Sequence, residues 1–209
     1  MKIAIPLYDR LTALDAIGPY EVLSRLPGAS VSFVAAEPGP VRTDNGMLTL
    51  LAERSIDEVA EPDIVLVPGG PGEVAARAGE PLLEWLRKVD ETSTWTTSVC
   101  TGSLILAAAG LLDGRRATTH WLAFDELRRL GAELVSERVV FDGKIVTAAG
   151  VSAGIDMALT LAAAIAGEQV AQAIQLGIEY DPQPPFDAGS PAKAPAEIVE
   201  LLRARSRFT

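Results

Sequence analysis

The chain has 209 residues, a formal net charge of −10 at pH 7, and 48% hydrophobic and 22% charged residues. This composition is typical of a globular protein, and the length suits one domain, which we expect to span residues 1–209. The excess of acidic side chains argues against electrostatic binding of nucleic acid, which requires a basic surface.

The single cysteine, Cys100, excludes an intrachain disulfide and agrees with a reducing compartment. Gly, Thr or charged residues interrupt the apolar runs before they reach the length of a membrane span, and the N-terminal residues show no signal-peptide pattern. We therefore expect a cytoplasmic protein with no membrane partner.

Strand-like and helix-like patterns alternate along the chain. Short runs rich in Val, Ile and Thr predict strands, and longer amphipathic or Ala-rich runs predict helices. The predicted strands cover residues 2–8, 31–35, 64–68 and 94–99, with hairpins around 44–46 and 142–143. The predicted helices begin near 17, 73, 104, 121, 152, 168 and 197, and the Pro-rich residues 180–194 predict an ordered irregular arm. This alternation predicts an α/β fold with a mainly parallel sheet covered by helices on both faces.

Cys100 lies where a predicted strand meets a predicted helix, in Ser98-Val99-Cys100-Thr101-Gly102-Ser103. A side chain at such a corner projects from the sheet edge towards the first turn of the helix, whose free N–H groups and dipole favour a thiolate. We therefore predict a nucleophilic cysteine with a lowered pKa. The alternative is that Cys100 is a small buried apolar residue.

Two other stretches follow predicted strands and therefore lie at the same edge of the sheet. Gly69-Gly70 could offer backbone N–H groups to an anion that develops beside Cys100, although Pro-Gly-Gly-Pro-Gly is also ordinary turn chemistry. Asp15 lies among apolar residues, so its carboxyl could have a raised pKa and exchange a proton with the thiol. Asp15 could equally cap the helix that we predict near Pro19, and Glu21 is the competing carboxylate.

His120 is the only histidine of the chain, so it is a candidate partner for Cys100. The alternative is a histidine at a helix start that is held by neighbouring threonine hydroxyls. One cysteine and one histidine do not supply the usual ligands of a zinc site, so we expect no metal.

Taken together, these stretches resemble the ThiJ/PfpI superfamily of class I glutamine amidotransferase-like proteins. The resemblance covers nearly the whole chain and includes segments beyond the cysteine corner. It rests on Asp15 with Gly18-Pro19-Tyr20, Pro68-Gly69-Gly70, Ser98 to Ser103, Ala117-Thr118-Thr119-His120-Trp121, Gly154 to Ala162 and Tyr180 to Pro191. Within the superfamily, the later segments are most similar to the branch that hydrates isonitriles.

The resemblance implies a flavodoxin-like sandwich with the cysteine on a strained strand-to-helix elbow, and usually a homodimer. It further implies a small-molecule substrate, no cofactor, and the addition of water to an isonitrile to give an N-substituted formamide through a cysteine thioimidate. The essential cysteine of the family corresponds to Cys100, the threonine after it to Thr101, and the acidic partner to Asp15.

Two departures separate this chain from other branches of the superfamily. The protease-like branch has histidine directly after the cysteine, where this chain has Thr101. The glyoxalase and deglycase branch commonly has glutamate where this chain has Asp15. A glyoxalase or deglycase activity and a non-enzymatic cysteine-based stress sensor therefore remain the alternative functions.

Overall fold

The predicted alternation of strands and helices is present in the computed structural model, which describes residues 1–208. The strands are β1 (Lys2–Pro6), β2 (Ser30–Ala35), β3 (Gly39–Arg42), β4 (Thr49–Ala52), β5 (Arg54–Ser55), β6 (Ile64–Val67), β7 (Trp95–Val99), β8 (Arg116–Ala117), β9 (Glu133–Leu134), β10 (Val139–Asp142) and β11 (Ile145–Ala148). The helices are α1 (Ala13–Leu23), α2 (Glu73–Ala76), α3 (Glu80–Thr92), α4 (Gly102–Ala108), α5 (Phe124–Arg129), α6 (Ala153–Ala166), α7 (Glu168–Gly177) and α8 (Ala196–Ala204).

A seven-stranded sheet in the order β10-β11-β7-β6-β1-β2-β5 forms the centre of the molecule. All neighbouring strands are parallel except β10, which pairs with β11 in the predicted hairpin. All four residues of β6 are buried, as expected for an apolar strand that is covered on both faces. The second predicted hairpin is also present, as β3 and β4 outside the main sheet.

Helices cover both faces of the sheet and give two apolar cores. One core contains residues from α1, α6 and α7, and the other contains residues from α3, α4 and α5. This arrangement confirms the predicted α/β sandwich. Among residues 1–208, no helix is both long and apolar enough to cross a membrane.

Helix α1 begins earlier than the sequence predicts. We expected Pro19 in the first turn, because proline lacks the N–H that an interior position uses, whereas α1 begins at Ala13 and contains Pro19 at its seventh position. A Cβ on Gly154 of α6 would lie 3.0 Å from Cγ of Pro19. The proline ring therefore packs against α6, and this tertiary contact compensates for the missing hydrogen bond.

The loops after β1 and β6 pack closely against each other at the carboxyl edge of the sheet. Thr12 N–H donates to Gly69 O at 2.8 Å, and Gly72 N–H donates to Arg10 O at 3.1 Å. A Cβ on Gly70 would collide with the backbone of residues 10–12, and Gly70 has φ +138°, so glycine is required there. This contact brings the residues that follow β1 next to those that follow β6 and β7.

Candidate active site

Cys100 occupies the strained elbow between β7 and α4. Its backbone φ angle is 58°, which is uncommon for a residue other than glycine. Cys100 is buried, with a relative exposure of 5%. Its N–H donates to Ala148 O and Ala149 O, both at 3.1 Å, and its carbonyl accepts from Thr119 Oγ1 at 3.0 Å. These bonds hold the unfavourable backbone conformation. A Cβ on Gly102 would collide with Val67 O, so the elbow also depends on glycine at that position.

Asp15 is completely buried beside the elbow. It is the third residue of α1, and the N-terminal cap position is Thr12, so the alternative capping role is not observed. Gly69 N–H donates to Oδ2 of Asp15 at 2.9 Å. The other carboxyl oxygen of Asp15, Oδ1, is buried and accepts no hydrogen bond of regular geometry. The Cys100 thiol interacts with the Asp15 carboxyl.

Burial raises the pKa of Asp15 from 3.8 to about 7, against the opposing effects of the Gly69 hydrogen bond and the Cys100 contact. Asp15 therefore exchanges protons near neutral pH. This confirms the raised pKa that its apolar sequence neighbours predicted.

The lowered pKa that we predicted for Cys100 is wrong. Burial raises the pKa of the thiol, and the negative charge of Asp15 raises it further. Backbone N–H groups of Thr101 and Val151 act in the opposite direction but do not compensate. Thiol and carboxyl are neighbouring and coupled, so they titrate as a pair.

The backbone N–H groups of Gly69 and Gly70, which we predicted to bind an anion that develops beside Cys100, already donate hydrogen bonds within the protein. Gly69 N–H binds Asp15, and Gly70 N–H donates to Thr101 Oγ1 at 2.9 Å. A Cβ on Gly69 would lie 2.7 Å from Thr101 Oγ1 and 2.9 Å from Asp15 Oδ2. The Gly69-Gly70 turn therefore positions the carboxyl and the threonine through its backbone.

The sequence analysis did not identify Val151, whose N–H, together with that of Thr101, interacts with the Cys100 sulfur. Val151 follows β11, which pairs with β7, so its position at the carboxyl edge of the sheet was the available signal. Tyr8 was also missed. Its hydroxyl donates to Pro68 O at 2.8 Å, and burial and the charges of Asp15 and Cys100 raise its pKa.

The two other candidate residues lie in different surroundings. Glu21 is half exposed and pairs with Arg25 at 2.7 Å, so the competing carboxylate is held at the surface of α1. His120 lines the same cavity as Cys100, and its Nδ1 accepts from Leu122 N–H at 3.3 Å, as expected for a histidine at a helix start. Burial and the charge of Arg207 lower the pKa of His120, which is therefore neutral at pH 7.

A cavity of about 440 Å³ opens over Cys100. Its walls come from the loops after β1, β6, β7 and β11 and from the C-terminal residues. Among residues 1–208, no group of three or more His, Cys, Asp or Glu side chains could hold a metal ion. The cavity therefore exposes a thiol and backbone N–H groups, and the proton-exchanging carboxyl of Asp15 is buried beside the thiol and outside the cavity lining. This arrangement suits addition of a thiol to an electrophilic carbon followed by proton transfer.

Comparison with known proteins agrees with this arrangement. Residues 1–164 match the model of the DJ-1/PfpI family. The chain is 44% identical to an isonitrile hydratase of Pseudomonas putida over 206 residues, which are 99% of this chain and 90% of that protein. It is 30% identical to the deglycase TK1284 of Thermococcus kodakarensis over 149 residues, covering 70% of this chain and 89% of that protein.

The fold is similar to solved structures as well. A ThiJ/PfpI family protein from Pseudomonas syringae superimposes with a TM-score of 0.95 at 37% identity, covering 98% of this chain and 85% of that chain. The residues that match the family model include all seven strands of the main sheet, the cysteine elbow and Asp15. The chain therefore belongs to the DJ-1/PfpI family.

Proposed function

We propose that this protein is an isonitrile hydratase, which adds water to an isonitrile R–NC and gives the N-substituted formamide. The observation that carries the proposal is the Cys100–Asp15 pair, in which a buried thiol interacts with a carboxyl whose pKa is about 7. The 44% identity to an isonitrile hydratase over nearly the whole chain supports it.

The terminal carbon of an isonitrile must gain both a nucleophile and a proton, and the pair supplies both. Above pH 7, Asp15 is a carboxylate and Cys100 retains its proton. As Sγ attacks the carbon, Asp15 accepts the thiol proton. The new C–S bond leaves an electron pair on that carbon, and Asp15 donates the proton to it. The product is the thioimidate Cys–S–CH=N–R, and Asp15 is again a carboxylate.

Asp15 also serves as the base in the second half of the reaction. It accepts a proton from water while the water oxygen bonds to the thioimidate carbon, and this proton passes to the nitrogen. The C–S bond of the resulting adduct then breaks, the hydroxyl proton returns through Asp15 to the sulfur, and the formamide leaves. Water and the isonitrile are the only species consumed, so no redox step is needed.

The backbone around Cys100 contributes both to the formation of the thioimidate and to its hydrolysis. The N–H groups of Thr101 and Val151 stabilise negative charge on the sulfur as it attacks and as it leaves. Thr101 Oγ1, held by Gly70 N–H, orients the reactants, and Gly69 N–H keeps the carboxyl beside the thiol. The raised pKa of Cys100 fits this scheme, because Asp15 removes the proton only during the attack.

The test is turnover by the purified protein of cyclohexyl isonitrile and of methylglyoxal, each followed by product formation. We expect the formamide from the isonitrile and no more than slow conversion of methylglyoxal. Cys100→Ala should abolish formamide production, because the thioimidate can no longer form.

Two other results would contradict the proposal. Conversion of methylglyoxal in preference to the isonitrile would indicate the glyoxalase or deglycase activity, which the deglycase relatives make the second candidate. Turnover of neither compound, with reversible oxidation of Cys100, would indicate a cysteine-based sensor.

A further inference from the structure

The C-terminal segment, residues 205–208, forms one wall of the cavity over Cys100. Its four residues are Arg205, Ser206, Arg207 and Phe208, and all of them line the cavity together with Cys100 and Thr101. These residues follow α8 and lie more than 100 positions after Cys100 in the sequence. The shape of the site therefore depends on a part of the chain that is remote from the catalytic loops.

Arg207 anchors the C-terminal segment to the loop that positions the catalytic groups. Its Nη2 donates to Gly70 O at 3.1 Å and to Oε1 of Glu73 at 3.3 Å. Glu73 is completely buried, and its Oε2 lies 3.1 Å from Nε of Arg77. A buried carboxylate needs compensating partners, so Arg207 and Glu73 hold each other in place and fix the segment across the cavity.

The anchored segment gives the cavity a positive rim in a protein of net charge −10. Arg10, Arg205 and Arg207 line it. Within residues 1–208, the side chains of Arg10 and Arg205 have no hydrogen bond or ion pair. The carboxylate of Asp44 at the rim is already bound by Thr12 Oγ1 at 2.9 Å and by Asn45 N–H at 2.8 Å. Two guanidinium groups are thus left to bind a ligand.

The C-terminal segment also lies outside the part of the chain that the whole family shares. The family model ends at residue 164, whereas the cysteine elbow and Asp15 lie within it. Cys100 and Asp15 thus lie in the region that matches the family model, while the wall with Arg205 and Arg207 lies beyond it and can set which substrate reaches Cys100.

We propose that the C-terminal segment, with Arg10, makes the Cys100 cavity selective for an isonitrile whose substituent carries a negative charge, such as a carboxylate. This inference rests on the proposed function for the isonitrile group and adds the chemistry of the substituent. Arginine suits this role because its planar fork of N–H donors matches the two oxygens of a carboxylate.

The test compares two isonitriles that differ in charge and little in size, isocyanoacetate and its methyl ester. We expect kcat/KM to be about tenfold higher for the anion, from one charge-assisted contact. In the double variant Arg10→Gln/Arg205→Gln this preference should fall to near one. Equal or better use of the ester by the wild type, or a preference that survives the double substitution, would overturn the proposal.

A second measurement separates this proposal from the proposed function. Iodoacetate and iodoacetamide alkylate the same thiol and differ in charge, and Cys100 is the only cysteine. The ratio of their rates, divided by the ratio for free cysteine, should exceed one in the wild type and fall in the double variant. If neither isonitrile is converted, the proposed function fails, and the alkylation ratio alone decides whether the cavity selects anions.

Arg25→Gln is the control, because it removes one positive charge just after the end of α1 and outside the cavity, where Arg25 pairs with Glu21. It should leave both the kcat/KM ratio and the alkylation ratio unchanged. A decrease in this control as large as in the double variant would assign the preference to the overall charge of the protein and reject the local role of the arginines.

Discussion

Asp15 is the residue whose charge changes within the range of ordinary buffers, because burial raises its pKa to about 7. In the proposed mechanism the carboxylate form accepts the thiol proton. We therefore expect kcat/KM for an isonitrile to rise with pH and level off above a midpoint near 7. Asp15→Asn should lower kcat about 10²–10⁴-fold, which is the usual contribution of a general acid-base group.

The Asp15→Asn variant keeps the shape of the side chain and an oxygen that can accept from Gly69 N–H. A loss of activity therefore reports the missing proton transfer, provided that the variant has the circular dichroism spectrum of the wild type. Near wild-type turnover in Asp15→Asn would contradict the assignment, and the acid would then be sought at His120.

The same carboxyl should make the stability of the protein depend on pH. Its pKa is 3.8 in the unfolded chain and about 7 in the fold, so the folded state binds more protons between these values. Stability then falls as the pH rises from about 4 to 7, by on the order of 4 kcal/mol from this group alone. Below pH 4 the group is protonated in both states and its contribution vanishes.

We therefore expect Asp15→Asn to raise the free energy of unfolding above pH 7 and to change it little near pH 4. Urea denaturation at pH 4.5 and pH 8 measures the difference. If the free energies of unfolding of the wild type and of Asp15→Asn changed equally with pH, burial of Asp15 would not disfavour its charged form. The expected result is a stability cost that the active site imposes on the fold.

Individual groups of the candidate site were predictable from the sequence where one local pattern defined them. The Thr- and Val-rich run followed by helix formers placed Cys100 at an elbow, and apolar neighbours indicated a desolvated Asp15. The pKa of the thiol was not predictable, because it depends on burial and on Asp15, which is 85 positions away in the chain. Val151 was missed since only the pairing of β11 with β7 brings it to the sulfur.

At the scale of elements, helices α1 and α6 pack against each other beside the end of β7, the strand that directly precedes Cys100. A Cβ on Gly154 would lie 2.9 Å from Cγ2 of Val99, the residue before Cys100, and 3.0 Å from Cγ of Pro19. Both neighbours are stiff, so Gly154→Ala should overpack the contact. We expect a loss of about 1–2 kcal/mol in unfolding free energy, measured by urea denaturation, and a lower kcat.

Gly177→Ala provides the control for this substitution. Gly177 is the last residue of α7, and a Cβ there would meet nothing within 4 Å. The control should be neutral or slightly stabilising, because alanine is the better helix former. If both variants had the same stability, the close approach of α6 to Val99 would have no energetic consequence.

Helix α1 shows why the bounds of some elements were not predictable from the sequence. Pro19 predicts a helix start near residue 17 from local chemistry alone, whereas α1 begins at Ala13 and contains Pro19 in its interior, where the proline ring packs against α6. By contrast, β6 and the hairpin of β10 and β11 follow from patterns that tertiary contacts reinforce. Local sequence patterns predicted an element correctly where tertiary packing favoured the same structure. They failed at α1, where packing of Pro19 against α6 compensates for a missing helix hydrogen bond.

At the scale of the molecule, the cavity over Cys100 is assembled from chain segments that are far apart in sequence. The predicted helix near the C-terminus is present as α8, and residues 180–194 form the expected irregular arm. No sequence pattern indicated that the residues after α8 return to the cavity. That return depends on the contact of Arg207 with the buried carboxylate of Glu73, which only the folded chain brings together.

The outer surface exposes apolar side chains that a second copy of the chain could cover. Phe186 of the Pro-rich arm is 78% exposed, whereas the Tyr180 side chain of the same arm interacts with Asp156 and Arg138. A larger exposed group lies on the hairpin of β3 and β4, where Met47 is 85% and Leu51 59% exposed. The hairpin lies against the loop after β1, since Asp44 N–H donates to Leu11 O.

We therefore expect a homodimer, with light scattering at micromolar concentration giving twice the chain mass of 22.0 kDa. The hairpin exposes Met47, Leu48 and Leu51 within five consecutive residues, and monomeric proteins seldom expose large apolar patches, so the hairpin is the better candidate for the contact. Met47→Ser/Leu51→Ser should shift the mass towards 22.0 kDa, and Phe186→Ser, which removes one isolated apolar side chain, should leave the dimer intact. A wild type at the mass of one chain would reject the dimer. If only Phe186→Ser disrupted the dimer, the contact between the two copies would lie on the Pro-rich arm and not on the hairpin.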